Sequence, residues 1–160
     1  MKRHTITLLV ENRFGALSRI SGLFSARGYN IESLTVAPTT DPTVSRMTIV
    51  TTGDDKVIEQ IGKQLNKLID VIKVWNVSDY DYIARELILV RVSTTEHSPD
   101  EVIRAGNAFG AKVVDVAEKS LAFEMMGDEH EVENFLNLIK PFGIKELVRS
   151  GTLAMLKEGK

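Results

Sequence analysis

The sequence predicts an α+β protein made of two successive units with the same β-α-β-β-α-β order. Three observations lead there. Strand-like and helix-like stretches follow that order twice along the chain, and a polar, aromatic stretch around residues 79–85 separates the two passes. The composition, 43% hydrophobic and 26% charged, is that of a chain that buries a core. With 160 residues there is room for one ordinary domain or two small ones.

In the first pass, TITLLVE alternates Ile6, Leu8 and Val10 with Thr5, Thr7 and Leu9, the period of a strand. Ala16, Leu17, Ile20, Leu23 and Phe24 then recur at helical spacing, and Gly28 is placed to end that helix. NIESLTVA (30–37) and SRMTIVTT (45–52) read as strands joined by PTTDPT. Gly53-Asp54 opens a helix carrying Val57, Ile61, Leu65 and Leu68, and VIKVWNV (71–77) is the fourth strand.

The second pass begins with the strand ELILVRVS (86–93). SPDE (98–101) combines an N-cap serine, a proline at the first helical position and a glutamate at the capping-box position. AKVVDVA and SLAFEMM read as a hairpin. Val132, Phe135, Leu136 and Ile139 mark a second helix bounded by Pro141, and IKELVRS (144–150) closes the unit. The terminal LKEGK reads as a frayed tail. The expected organisation is 1–78, a linker at 79–85, and 86–160. Each unit would be an antiparallel sheet with helices on one face, leaving the other face bare. Pairing edges or bare faces with a second copy would cover them, so at least a homodimer is expected.

Composition excludes several functions. There is no cysteine, hence no disulfide, thiolate metal site or cysteine nucleophile. A net charge of −2 supplies no general attraction to nucleic acid or anionic membranes. No apolar run approaches the ~20 residues of a membrane span, and the N-terminus has no h-region, so a cytoplasmic location is expected. His4, His97 and His130 have no ligand spacing and read as surface histidines. GDEHEVE (127–133) reads as an acidic first helical turn favoured by the helix dipole, as do Asp54 and Asp55. No GxSxG, SxxK, GxGxxG or Walker A motif is present. RNA-recognition domains share the element order but stack bases on aromatic residues of their central strands. The strands TITLLVE and SRMTIVTT have none, and Phe123 reads as core.

The turn Asn12–Gly15 is the remaining candidate. A helix start exposes unpaired N–H groups and a partial positive charge. Asn12 could cap them, or the site could be open to an anion. A second asparagine, Asn30, follows the same helix. A glycine at a helix start admits a carboxylate, and two uncharged asparagines suit the zwitterion of a free amino acid.

The run NRFGALSRISGLFSARGYNIESLTVAPTTDPTVSRMTIV closely resembles the regulatory (small) subunit of acetolactate synthase, also called acetohydroxyacid synthase. Its first half resembles an ACT domain, the ferredoxin-like module that senses amino acids. The second half, with ARELILVRV and a terminal RSG, is similar to the C-terminal domain of that family. The resemblance implies two tandem ferredoxin-like domains with no catalytic residues of their own. It implies a separate catalytic large subunit that holds thiamine diphosphate, magnesium and FAD, with no cofactor on this chain. The small subunit would activate that partner and make it sensitive to valine or another branched-chain amino acid, in branched-chain amino acid biosynthesis. By the same resemblance, the effector lies between the ACT domains of a homodimer. Asn12, Gly15, Ala16 and Ser18 of one chain would face Asn30 and Ile31 of the other. A free-standing amino-acid sensor without an enzyme partner is the alternative.

Overall fold

The structure, a computed structural model, describes residues 1–158. Strands β1 (Lys2–Glu11), β2 (Ile31–Pro38), β3 (Val44–Gly53) and β4 (Val71–Asn76) alternate with helices α1 (Ala16–Ala26) and α2 (Asp55–Asn66) in the expected order. A 3-10 turn at Val77–Asp79 leads to β5 (Tyr82–Ser93). Then come α3 (Pro99–Asn107), β6 (Lys112–Val116), β7 (Ser120–Gly127), α4 (Glu129–Ile139), β8 (Ile144–Arg149) and β9 (Leu153–Leu156). Two compact units result. Residues 1–83 and the described residues from Thr152 onward form the first, and residues 84–151 form the second.

In the first unit the sheet order is β2-β3-β1-β4, all antiparallel, with β1 in register against β3 from Lys2↔Gly53 to Glu11↔Val44. Ile6, Leu8 and Val10 of β1 and Met47 and Ile49 of β3 face one way. They pack on Ile20 and Phe24 of α1 and Ile58, Ile61 and Leu65 of α2. His4 has the same parity as Ile6 and is 1% exposed, which corrects its reading as a surface histidine. Strand alternation turned it inward. His97 and His130 are exposed, paired with Glu101 and Asn134.

The opposite face of this sheet was expected to be bare, yet Thr7, Thr48 and Val50 are no more than 2% exposed. The chain end covers it. β9 lies against β1 and the 3-10 turn, with Ala154 buried. The Thr152 N–H donates to Ser33 Oγ at 3.0 Å, Thr35 Oγ1 donates to the Thr152 carbonyl at 3.1 Å, and Lys157 pairs with Asp81 at 3.1 Å. The expected frayed tail is therefore structural as far as it is described, and the domain limits of 1–78 and 86–160 differ from the observed division. Gly159 and Lys160 of that tail lie outside the described residues.

The second unit orders its strands β6-β7-β5-β8. Its core joins Ile88, Val90 and Val92 of β5 and Leu121, Phe123 and Met125 of β7 to Val102, Val132, Phe135 and Ile139 of the helices. Phe123 is core as expected, edge-on to Phe135 at 5.8 Å between centroids. Here the other sheet face does stay open: Leu87, Leu89 and Val148 are 39–52% exposed. The acidic turn before α4 is a complete capping box, Asp128 accepting from the Glu131 N–H and Glu131 from the Asp128 N–H, both at 2.8 Å. At α3 only half of that device forms. Ser98 accepts from the Glu101 N–H, while the Glu101 carboxylate turns to His97.

Candidate effector site

Among the described residues, three of the four α-helices begin with a side-chain cap: Asp54 on α2, Ser98 on α3 and Asp128 on α4. α1 has none. Its N-cap is Gly15, with φ +85°, a left-handed conformation natural to glycine. The Ala16 N–H donates to the Arg13 carbonyl at 3.2 Å and the Arg19 N–H to the Gly15 carbonyl at 3.0 Å. Between them, the N–H groups of Leu17 and Ser18 meet no acceptor among the described residues. The partial positive charge of the helix start is thus left without an internal counterpart.

Asn12 is not the cap. Its Nδ2 donates to the Pro42 carbonyl at 2.9 Å and its N–H to the Thr43 carbonyl at 2.8 Å. This fastens the α1 approach to the β2–β3 turn, which Asp41 folds by accepting from the Thr43 N–H at 2.9 Å and the Thr43 hydroxyl at 2.7 Å. The hydroxyl bond first, then the amide bond, hold the Asp41 carboxyl below its ordinary value of 3.8. Ala16 is buried, Ser18 is exposed, and Phe14 projects fully into solvent. Arg13 pairs with Glu11 at 2.8 Å.

Asn30 and Ile31 lie elsewhere in the chain. The Asn30 carbonyl accepts from Thr51 Oγ1 at 2.6 Å, and Ile31 pairs with Thr51. Asn12 sits level with Thr43, eight residues away along β3, so the two groups are about 26 Å apart at ~3.3 Å per strand residue. One chain does not bring all six candidates together. Nor do they line the cavity of about 540 Å³ in this unit, whose walls include Ile6, Ile58, Val74, Asp55, Glu59 and Asp79.

Sequence reasoning missed Arg19. Its Nε donates to Asp70 Oδ2 at 2.7 Å, and the Asp70 side chain is 3% exposed. A Cβ built on Gly15 would stand 3.0 Å from Arg19 Nη1, so the guanidinium occupies the space that a side chain at position 15 would need. The four-residue spacing from Gly15 was a legible signal. The partner, 51 residues away, was not.

An antiparallel βαββαβ unit with an uncapped, glycine-entered first helix, followed by a second unit of the same order, makes this a tandem ferredoxin-like protein, an architecture that hosts several functions. Residues 6–73 match the acetolactate synthase small-subunit-like ACT domain, and residues 85–158 match the small subunit of acetolactate synthase. The chain is 49% identical over 158 residues to a probable acetolactate synthase small subunit of Archaeoglobus fulgidus, covering 99% of each. It is 45% identical over 159 residues to the acetolactate synthase isozyme 3 small subunit of Escherichia coli, covering 99% of this chain and 98% of that one. The crystal structure of an acetolactate synthase small subunit from Thermotoga maritima superimposes over the full length of both chains, with a TM-score of 0.89 at 34% identity. The chain belongs to the acetolactate synthase small subunit family. None of its described helices is long and apolar enough to cross a membrane.

Proposed function

We propose that this chain is the regulatory subunit of a cytoplasmic acetolactate synthase, activating a separate catalytic subunit and conferring feedback inhibition by valine. Family membership supports the assembly with a large subunit. Thiamine diphosphate, magnesium and FAD would reside on that partner, and this chain would contribute no cofactor.

The observation that carries the effector reading is the unsatisfied start of α1. Leu17 and Ser18 leave two N–H groups open at the start of α1, which has neither a side-chain cap nor an acidic residue in its first turn. Each of the other three described helices has an oxygen of a capping side chain on one N–H and an acidic first turn. A carboxylate there gains hydrogen bonds and a favourable dipole. The distance between Asn12 and Asn30 within one chain favours a site completed by a second copy, whose Asn30 and Ile31 would meet the α-amino group and the branched side chain. One methylene shifts affinity by only ~1–3 kcal/mol in such a pocket, so valine, leucine and isoleucine would be graded rather than sharply separated. Coupling of about 1–3 kcal/mol between effector and partner is typical, and it acts reciprocally: the catalytic subunit must change valine affinity by the same factor that valine changes its own.

The test is calorimetric titration of valine, with leucine as control, into the wild-type chain and Asn12→Ala, each alone and with the catalytic subunit. Saturable binding that weakens in the variant is the expected result. A folded wild-type dimer that takes up no valine in either setting would remove the effector reading.

A further inference from the structure

Resting on the effector reading above, we propose that Arg19 is the carboxylate-binding cation of that site and that the buried carboxylate of Asp70 is its positioning residue. Arg19 lies within the first turn of α1, and its Nη1 stands beside the vacant side-chain position of Gly15. Only one of its five N–H donors is used: Nε donates to Asp70 at 2.7 Å, and the Nη groups meet no acceptor among the described residues. The Arg19 side chain is 50% exposed whereas Asp70 is 3% exposed. The pair therefore has a buried, fixed end and an open, donating end.

Asp70 is held in turn by the backbone. Its carbonyl accepts from the Glu11 N–H at 2.8 Å, next to Asn12. A chain of fixed groups thus runs from the end of β1 through Asp70 to the guanidinium beside Gly15. A purely structural staple would need no such opening, because a carboxylate can occupy two guanidinium donors side by side and here occupies one. The free edge of the fork has the geometry to receive a second carboxylate, and the ion pair adds no net charge to a site meant for a zwitterion.

The experiment compares L-valine with L-valinamide, which keeps the ammonium and side chain but lacks the carboxylate. Both are titrated into the full chain, alone and with the catalytic subunit, alongside thermal unfolding. Wild type should bind valine at least ten-fold more tightly than valinamide. In Arg19→Gln that preference should fall to about three-fold or less through loss of valine affinity, with valinamide nearly unchanged. Asp70→Asn should fall between. If Arg19→Gln keeps the wild-type preference, or loses both ligands equally, Arg19 is a staple and the proposal is wrong. If Arg19→Gln does not fold, Arg19→Lys decides: an undiminished preference in it would overturn the fork geometry. Wild type that binds neither ligand in either setting defeats the effector reading itself, an outcome distinct from wild-type valine binding that Arg19→Gln leaves intact.

Discussion

Phe123 fills the space where Gly106 lacks a side chain: a Cβ on Gly106 would lie 2.3 Å from Phe123 Cε1 and 2.5 Å from its Cζ. α3 can approach β7 this closely only because position 106 is glycine. Gly106→Ala must displace a ring that is fully buried and braced against Phe135. Overpacking of this kind costs about 1–3 kcal/mol. Gly62→Ala on α2, where nothing lies within 4 Å of the added methyl, should instead gain ~0.5–1 kcal/mol from helix propensity. Urea unfolding of the two variants should give midpoints displaced in opposite directions, and a common sign would contradict the packing described.

Ser18 is exposed, next to the unpaired N–H groups of α1. A ring placed there obstructs the helix start without entering the core formed by Ile20 and Phe24. Ser18→Phe should leave activation of the catalytic subunit within about two-fold of wild type while raising the valine concentration for half-inhibition at least ten-fold, a separation of ~1.4 kcal/mol. Assays of the reconstituted enzyme check this. A folded variant that loses activation as well would contradict the division between effector site and partner contact.

The chain end is the cover of the first sheet. Deleting residues 152–160 removes the Thr152 bonds to Ser33 and Thr35 and the Lys157–Asp81 pair, and it uncovers the face of Thr7 and Thr48. At ~0.5–1.5 kcal/mol for each of the two net hydrogen bonds, with the exposed ion pair adding little, the loss is about 1–3 kcal/mol, confined to the first unit. Hydrogen exchange should accelerate in β1 and β3 while α3, α4 and β7 keep their protection. Equal acceleration in both units would show that the end serves the whole chain.

Asp41 supplies the pH dependence of the turn on which Asn12 is fastened. Its folded pKa lies below 3.8, so the ionised form is favoured in the folded turn. The turn is therefore fully stabilised above 3.8, and this contribution is lost as pH falls through the lowered folded value. The Thr43 amide resonance should titrate with a midpoint below 3.8 in the wild type. The midpoint should return toward 3.8 in Thr43→Val, which removes the hydroxyl bond. An unmoved midpoint would mean that the hydroxyl contributes nothing.

What could be read from the sequence is what neighbouring residues decide among themselves. The period-2 stretch from Thr5 to Val10, the helical spacing of Val132, Phe135, Leu136 and Ile139, and the Asp128–Glu131 box each arise within a few residues. The element order and the tandem fold follow from such runs, and the family from the resemblance carried by residues 12–50. The candidate site was half legible: the Gly15 entry to α1 is local, but Asn12 looks like a cap and is diverted by Pro42 and Thr43, about thirty residues on.

By itself, then, the sequence determined the strands, the helices, their order and the absence of thiol chemistry. Only the tertiary structure decided that His4 points inward, that Arg19 is anchored by Asp70, and that β9 returns to cover the first sheet. The physical reason is the range of the forces involved. Periodicity and capping are settled over three or four residues, whereas LAML carries no local mark of which sheet will receive it. Burial, ion pairing and sheet coverage depend on contacts between residues 50 to 120 positions apart, which exist only once the chain has folded.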